Sequence, residues 1–173
     1  MTEFACNWGQ RTITITILVV TLMLFISVKM LLSFLKGYKS NKKRPILVFI
    51  YAFIAILPLI LTFVILPYMP LKVIVDKGTI YINQFKGGIT IPIEDIVEIR
   101  RYTSEDSKNT VRTFGSGGLF GFLGKFKNPQ IGKFEMFATD TKNRTLIKTN
   151  DKVYVISCAN PNVFIETVKN NTP

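Results

Sequence analysis

Two uninterrupted apolar stretches constrain this chain more than any other feature. Thr12–Leu35 contains a single charged residue, Lys29, and Ile46–Leu66 contains none. A bilayer core ~30 Å thick is crossed by a helix of ~20 mostly apolar residues. Each stretch therefore predicts a membrane-spanning helix, at about 12–35 and 46–67. Ile/Thr alternation at 13–17 has the period of a strand. The apolar run continuing to Val28 is too long for that, because a buried strand rarely exceeds ~8 residues. A cleaved signal peptide fits no better, since the short flank carries Glu3 as well as Arg11 and no small-x-small site follows. Lys29 is close enough to the end of its stretch for the long stem to carry the ammonium to the headgroups.

Between the stretches lies a short polar connector, Lys36–Pro45, in which Gly37 is suited to close the first helix and Pro45 to open the second. So short a link predicts an antiparallel two-helix transmembrane hairpin. Pro58 predicts a kink in the second helix, which membrane helices tolerate. The connector carries Lys36, Lys39, Lys42, Lys43 and Arg44, against Arg11 before the first helix and Lys72 and Lys77 after the second. The positive-inside rule then predicts a cytoplasmic connector, with the N-terminus and everything after the second helix outside. Trp8, Tyr38 and Tyr68 fall at the expected membrane–water boundaries, where aromatic side chains collect. Residues 1–70 thus read as a membrane anchor, and 71–173 as one small domain.

Composition narrows the chemistry. The chain has no histidine and only two cysteines, Cys6 and Cys158. Histidine triads, histidine bases and zinc sets are ruled out. Two cysteines alone do not establish a disulfide, and free thiols are expected. Ser116 lacks a histidine partner, and the adjacent pairs Glu94-Asp95 and Glu105-Asp106 would point to opposite faces of a strand. No catalytic or metal-binding residue is assigned, no cofactor is expected, and the chain reads as a non-enzyme. The balance of 22 Lys plus Arg against 11 Asp plus Glu gives +11. The excess is spread out, without the dense stripe or motif that nucleic acid demands.

After Pro70 the hydrophobic period changes to two. Leu71–Asp76 and Thr79–Asn83 read as a hairpin turning at Asp76-Lys77-Gly78. Ile89–Ile93 follows, with Pro92 marking a strand end or an edge. Ile96–Tyr102, Lys133–Thr139, Arg144–Thr149 and Lys152–Ser157 complete about seven antiparallel strands. Asn160-Pro161 predicts a cap and first turn of a C-terminal helix reaching about Lys169, with Val163, Phe164, Ile165 and Val168 near one another.

This order of elements resembles a pleckstrin-homology (PH) domain. The glycine-rich segment Arg112–Gly124, together with Gly132–Asp140, Leu146–Thr149 and Val155–Ile165, is similar to bacterial PH-like proteins with N-terminal membrane helices. The resemblance implies a mainly-β PH-like barrel after the hairpin and no characterised activity; the two apolar spans are expected to hold the chain in the cytoplasmic (inner) membrane. The first β-turn, Asp76-Lys77-Gly78, is short and lacks the basic cluster of phosphoinositide-binding PH domains. Arg100, Arg101, Arg112, Lys125 and Lys127 read first as a solvated basic face, with weak attraction to anionic headgroups as the alternative.

In the glycine-rich segment, Gly115, Gly118, Gly121 and Gly124 recur every third residue, interleaved with phenylalanines. The spacing fits neither a dinucleotide loop nor a P-loop, since Phe120 stands where glycine is needed and Gly124-Lys125 is followed by Phe126. The segment is expected as a loop over about 112–132. It either buries its phenylalanines on its own barrel, or presents them to the membrane surface, a partner protein or a second copy. Its candidate contact residues are Phe114, Phe120, Phe122, Phe126, Arg112, Lys125 and Lys127. The expected function is a membrane-anchored binding or scaffolding module whose partners are the lipid bilayer and a membrane protein or another copy. The alternative is a small accessory subunit of a larger membrane complex, working through its helices.

Overall fold

The computed structural model describes residues 1–40 and 45–171, without the side chains of 37–40, 45, 47, 48 and 59. The chain opens with a short strand β1 (Thr2–Ala5), followed by helices α1 (Gln10–Ser40) and α2 (Pro45–Ile65). Both helices are long and apolar enough to cross a membrane, and they lie against one another. Gly37 does not end α1, which continues to Ser40. Pro58 sits inside α2. Of the basic residues expected to set topology, Lys36 is exposed near the end of α1. The side chain of Lys39, and Lys42, Lys43 and Arg44, lie outside the described residues.

A 3-10 turn, Leu66–Tyr68, leads into β2 (Pro70–Asp76), β3 (Thr79–Gln84) and β4 (Gly88–Pro92). The β2–β3 connection is a two-residue turn, with Lys77 at φ 38° and Gly78 at φ 83°. Two positive φ values match the twist of the flanking strands. Pro92 ends β4 on the free edge of this sheet, where its missing N–H interrupts no ladder. Then come β5 (Ile96–Arg101), a short helix α3 (Ser104–Ser107), β6 (Val111–Gly118), β7 (Gly121–Asn128), β8 (Gly132–Ala138), β9 (Arg144–Thr149), β10 (Val153–Ser157) and α4 (Pro161–Asn170).

The expected closed barrel of seven antiparallel strands is corrected on three points. Among the described residues, ten strands form two separate sheets, β1-β2-β3-β4 and β5-β9-β10-β8-β7-β6. Pro92 and the 3-10 turn Ile93–Asp95 break the ladder between them, so the sheets pack face to face instead of closing. The β8–β10 pair is parallel, because the β9–β10 hairpin folds back and inserts β10 between β9 and β8. The extra strands are β1, too short to show a period, and β6 and β7, which occupy the segment expected as a loop.

The main core lies between the sheets. Val73, Val75, Ile80, Ile82 and Ile91 from the small sheet meet Ile147, Ile156 and Phe137 from the large one, with Phe164 and Val168 of α4 at one end. Val163 points outward, at 53% exposure. Asn160 occupies the cap position of α4 without a side-chain cap, since its left-handed backbone (φ 53°) aims the amide elsewhere. The second face of the large sheet buries Phe126, Phe134, Met136, Leu146 and Val155 under Tyr102. Asn128, fully buried, donates its amide to the carbonyls of Asp106 and Lys108 and pins this cover down.

Asp106 holds the turn over that face. It caps α3 reciprocally with Thr103 and receives both Nη groups of Arg100, at 2.7 and 2.9 Å. The Arg100 hydrogen bonds, opposed by desolvation and aided by Thr103, lower its pKa from 3.8 to about 2. A folded-state value below the unfolded one stabilises the protein above the unfolded pKa and is lost as pH falls toward the folded one. With Arg100 partly open to solvent, which screens the pair, on the order of 1 kcal/mol should therefore disappear between pH ~5 and pH ~2. Asp106→Asn should remove that contribution at neutral pH and flatten the acid limb, as read by thermal melts of the full chain in detergent. A variant melting like the parent at neutral pH would contradict this account.

Candidate functional site

The glycine-rich segment is a β-hairpin whose tip reaches the long apolar helices α1 and α2. Leu119 and Phe120 connect β6 to β7. Phe120 is 9% exposed and packs edge-to-face on Trp8, with ring centroids 6.2 Å apart. Its cluster includes Met69 and Leu123, with Val20, Ile65, Leu66 and Leu119 packed around them. The Phe120 N–H donates to Thr16 Oγ1 at 3.0 Å, fastening the tip to α1. A hydroxyl on a helix face can accept this bond without breaking the helix ladder. β1 adds a second tie, because Thr2–Ala5 pairs with β2 and brings the start of the chain onto the small sheet.

The hairpin has two unlike flanks. Toward α2 lies an apolar groove of about 430 Å³, lined by Leu61, Val64, Tyr68, Phe114, Leu123 and Lys125 among others. Phe114 is 75% exposed there. Toward the start of α1 lies a more polar cavity of about 610 Å³, whose walls include Arg11, Tyr102, Arg112, Phe122, Thr141 and Arg144. Arg112 crosses Gly117, with Nη1 only 3.0 Å from where a Cβ would stand. The half-buried Arg144 stacks between Tyr102 and Phe122, with its guanidinium carbon 5.0 and 5.7 Å from the two ring centroids. Its Nε donates to the Thr141 carbonyl at 3.0 Å. Burial pushes the Arg144 pKa below its ordinary value.

The residues expected as contacts therefore separate. Phe120 and Phe126 are interior, Phe122 is half-buried, and Phe114 alone of the four stands open. Lys125 and Lys127 are exposed on β7. Arg112 joins Phe122 and Phe126 around the polar cavity. Of the other arginines, Arg100 is engaged by Asp106 and Glu98, and Arg101 bonds Asn162 and the Lys142 carbonyl. Arg11 and Arg144 escaped the sequence reading, since one reads as a flank of a membrane helix and the other as a charge on a strand. Their residues lie far apart in the chain, so no local pattern joins them.

Cys6 and Cys158 are free and buried in the main core. Desolvation raises both thiols to about 12, with the neighbouring Cys158 adding to the effect on Cys6.

A family model described as a bacterial PH domain matches residues 71–172. No curated protein and no solved structure matches the chain. The matched segment takes in β2 to α4 and leaves out β1 and the two long helices. Two face-to-face sheets, a terminal helix packed on their core and this match over more than half of the sequence agree: the chain belongs to the bacterial PH domain family.

Proposed function

We propose that this protein is a non-catalytic binding module, anchored in a membrane by α1 and α2, which holds its PH domain at the lipid surface through the β6–β7 hairpin. The observation that carries the reading is the outward apolar surface of both helices. Phe25 and Leu18 on α1, and Phe49 and Phe63 on α2, are 60–75% exposed, and many neighbours are similar. Each large apolar side chain left in water forgoes about 1.5–3 kcal/mol. A soluble domain has only about 5–15 kcal/mol of net stability to set against such losses. Lipid removes the difficulty.

The pairing of β1 with β2 supports an even number of crossings. Strands on either side of the helices share a sheet, so both must lie on one side of a bilayer. The basic connector between the helices favours the cytoplasm for that link, and the outer side for the domain. Tyr68, Phe85 and Phe114 are all well exposed. Tyr68 and Phe114 line the groove beside α2, where aromatic rings suit a headgroup layer.

The test combines extraction and labelling. The protein should stay with membranes in alkaline carbonate, and release into buffer would overturn the anchor. The native thiols, buried and protonated, should not react with maleimide until the chain is unfolded. Added cysteines then report topology without interference. In intact cells, an impermeant maleimide should label Asp151→Cys and spare Ser40→Cys. Equal labelling of both would overturn the two-crossing arrangement, and the reverse pattern would overturn the orientation.

A further inference from the structure

The cavity on the α1 side of the hairpin is lined by three arginines and, among the described residues, by no carboxylate. Arg11, Arg112 and Arg144 all line it. Among the described residues, the ion pairs present involve none of them. Asp140 is the carboxylate that acts on Arg144 electrostatically. Its two oxygens already accept from the Lys142 N–H and the Asn143 amide. Arg11 opposes the charge on Arg144, so the like charges are near enough to be felt. A half-buried cation beside other cations is costly unless an anion completes it. Of the five N–H donors of Arg144, one meets a carbonyl and another a distant thioether sulfur, 4.0 Å away. Ser107, Thr110 and Thr141 line the same walls, though the hydroxyls of Ser107 and Thr110 already donate to the carbonyls of Thr103 and Asp106.

A second observation points to the source of the anion. Arg11 stands in the first turn of α1, and below it an open apolar groove runs along the helix, lined by Thr14, Leu18, Leu22 and Phe25 among others. These positions follow Arg11 at steps of three, four, four and three, and so share its face. Cationic groups over an apolar track on a membrane helix match a phosphorylated headgroup over its acyl chain. Guanidinium forks suit phosphoryl oxygens in particular.

We propose that Arg11, Arg112 and Arg144 form a binding site for a phosphoryl group, carried by a membrane phospholipid whose chain lies along α1. The inference rests on the membrane-anchored reading for its lipid source. Arg11 belongs to α1, outside the matched PH segment, so the site exists only where the domain and the anchor meet.

The test uses the full chain in neutral detergent, with native mass spectrometry for lipid adducts and thermal melts for small anions. The probes are phosphatidylglycerol, a diacylglycerol with the same chains, and inorganic phosphate. The wild type should retain phosphatidylglycerol and not diacylglycerol. Arg11→Gln and Arg112→Gln, both at exposed positions, should each weaken retention about tenfold, as loss of one charge-assisted bond does. Arg144→Gln should abolish it and Arg144→Lys should restore part. Lys148→Gln, exposed on β9 away from the cavity, should change nothing. Retention should fall with added salt, since the outer two arginines face solvent. Stabilisation by inorganic phosphate that needs the arginines, without lipid retention, would sustain the phosphoryl site and overturn its lipid source. Equal retention by the Arg11 and Arg112 variants, or binding of none of the probes, would overturn the site. The phosphate arm reads on solubilised protein, so its failure is distinct from failure of the carbonate test.

Discussion

Replacing Gly115 with alanine should unfold the β6–β7 hairpin, at a cost of about 4 kcal/mol or more, in the range reached only by severe mechanisms. Gly115 has φ +108° and faces Gly124 (φ +116°) across the hairpin. A Cβ on Gly115 would strike the Leu123 carbonyl oxygen and stand 3.0 Å from the Gly124 Cα. Backbone atoms of a paired strand cannot step aside as a side chain can. The strain of the conformation therefore adds to a collision, and relief requires the strands to separate. That would free Phe120 from the helix ends and Phe126 from the sheet. Gly87→Ala is the control. Its φ is +78° with nothing within 4 Å of the added carbon, so it should cost only about 1–2 kcal/mol. Melts of the full chain in detergent and limited proteolysis between Val111 and Asn128 read the difference. If the two variants lose equal stability, the close approach of the two strands is wrong.

Phe164→Ala should destabilise the domain by about 4 kcal/mol. Phe164 is fully buried, and its ring meets Phe4 edge-on at 5.3 Å. The contact joins the first strand to the last helix, and the cavity left behind would open the core that also encloses Cys6 and Cys158. A loss of that size corresponds to a fall in Tm of roughly 15 °C or more for a domain this small. The same variant should make both thiols react with maleimide under conditions where the parent does not. Val163→Ala, one residue away and largely exposed, should stay within about 0.5 kcal/mol of the parent. Unchanged thiol protection in Phe164→Ala would show that α4 does not seal this core.

Much of the architecture was legible from local pattern. The two helices were visible because Thr12–Leu35 and Ile46–Leu66 are unbroken apolar runs too long for buried strands. The β2–β3 hairpin was visible because Val73, Val75, Ile80 and Ile82 alternate on either side of Lys77-Gly78. Strands β2 to β4 and β8 coincide with alternating segments, while β5, β9 and β10 coincide with short runs rich in β-branched and other apolar residues. The β6–β7 hairpin was hidden for a physical reason. Its glycines bury no side chain and so leave no alternation to read. Their three-residue recurrence is a reflection about the turn, with Gly115 opposite Gly124 and Gly118 opposite Gly121. Strand β1 was hidden because four residues are too few to show a period.

The covalent chain alone determined that two long apolar helices would precede a small β-domain, since periodicity and run length are properties of neighbours along the backbone. Folding decided the rest. Whether ten strands closed into a barrel or stacked as two sheets depended on where a ladder stopped, at Pro92. Which phenylalanines of the hairpin faced inward depended on α1 and α2 lying beneath its tip for Phe120, and on the cover of Tyr102 over the large sheet for Phe126. The meeting of Arg11, Arg112 and Arg144 is of the same kind. Side chains that share a cavity across more than a hundred residues leave no trace in local order, because their proximity comes from how separate elements pack.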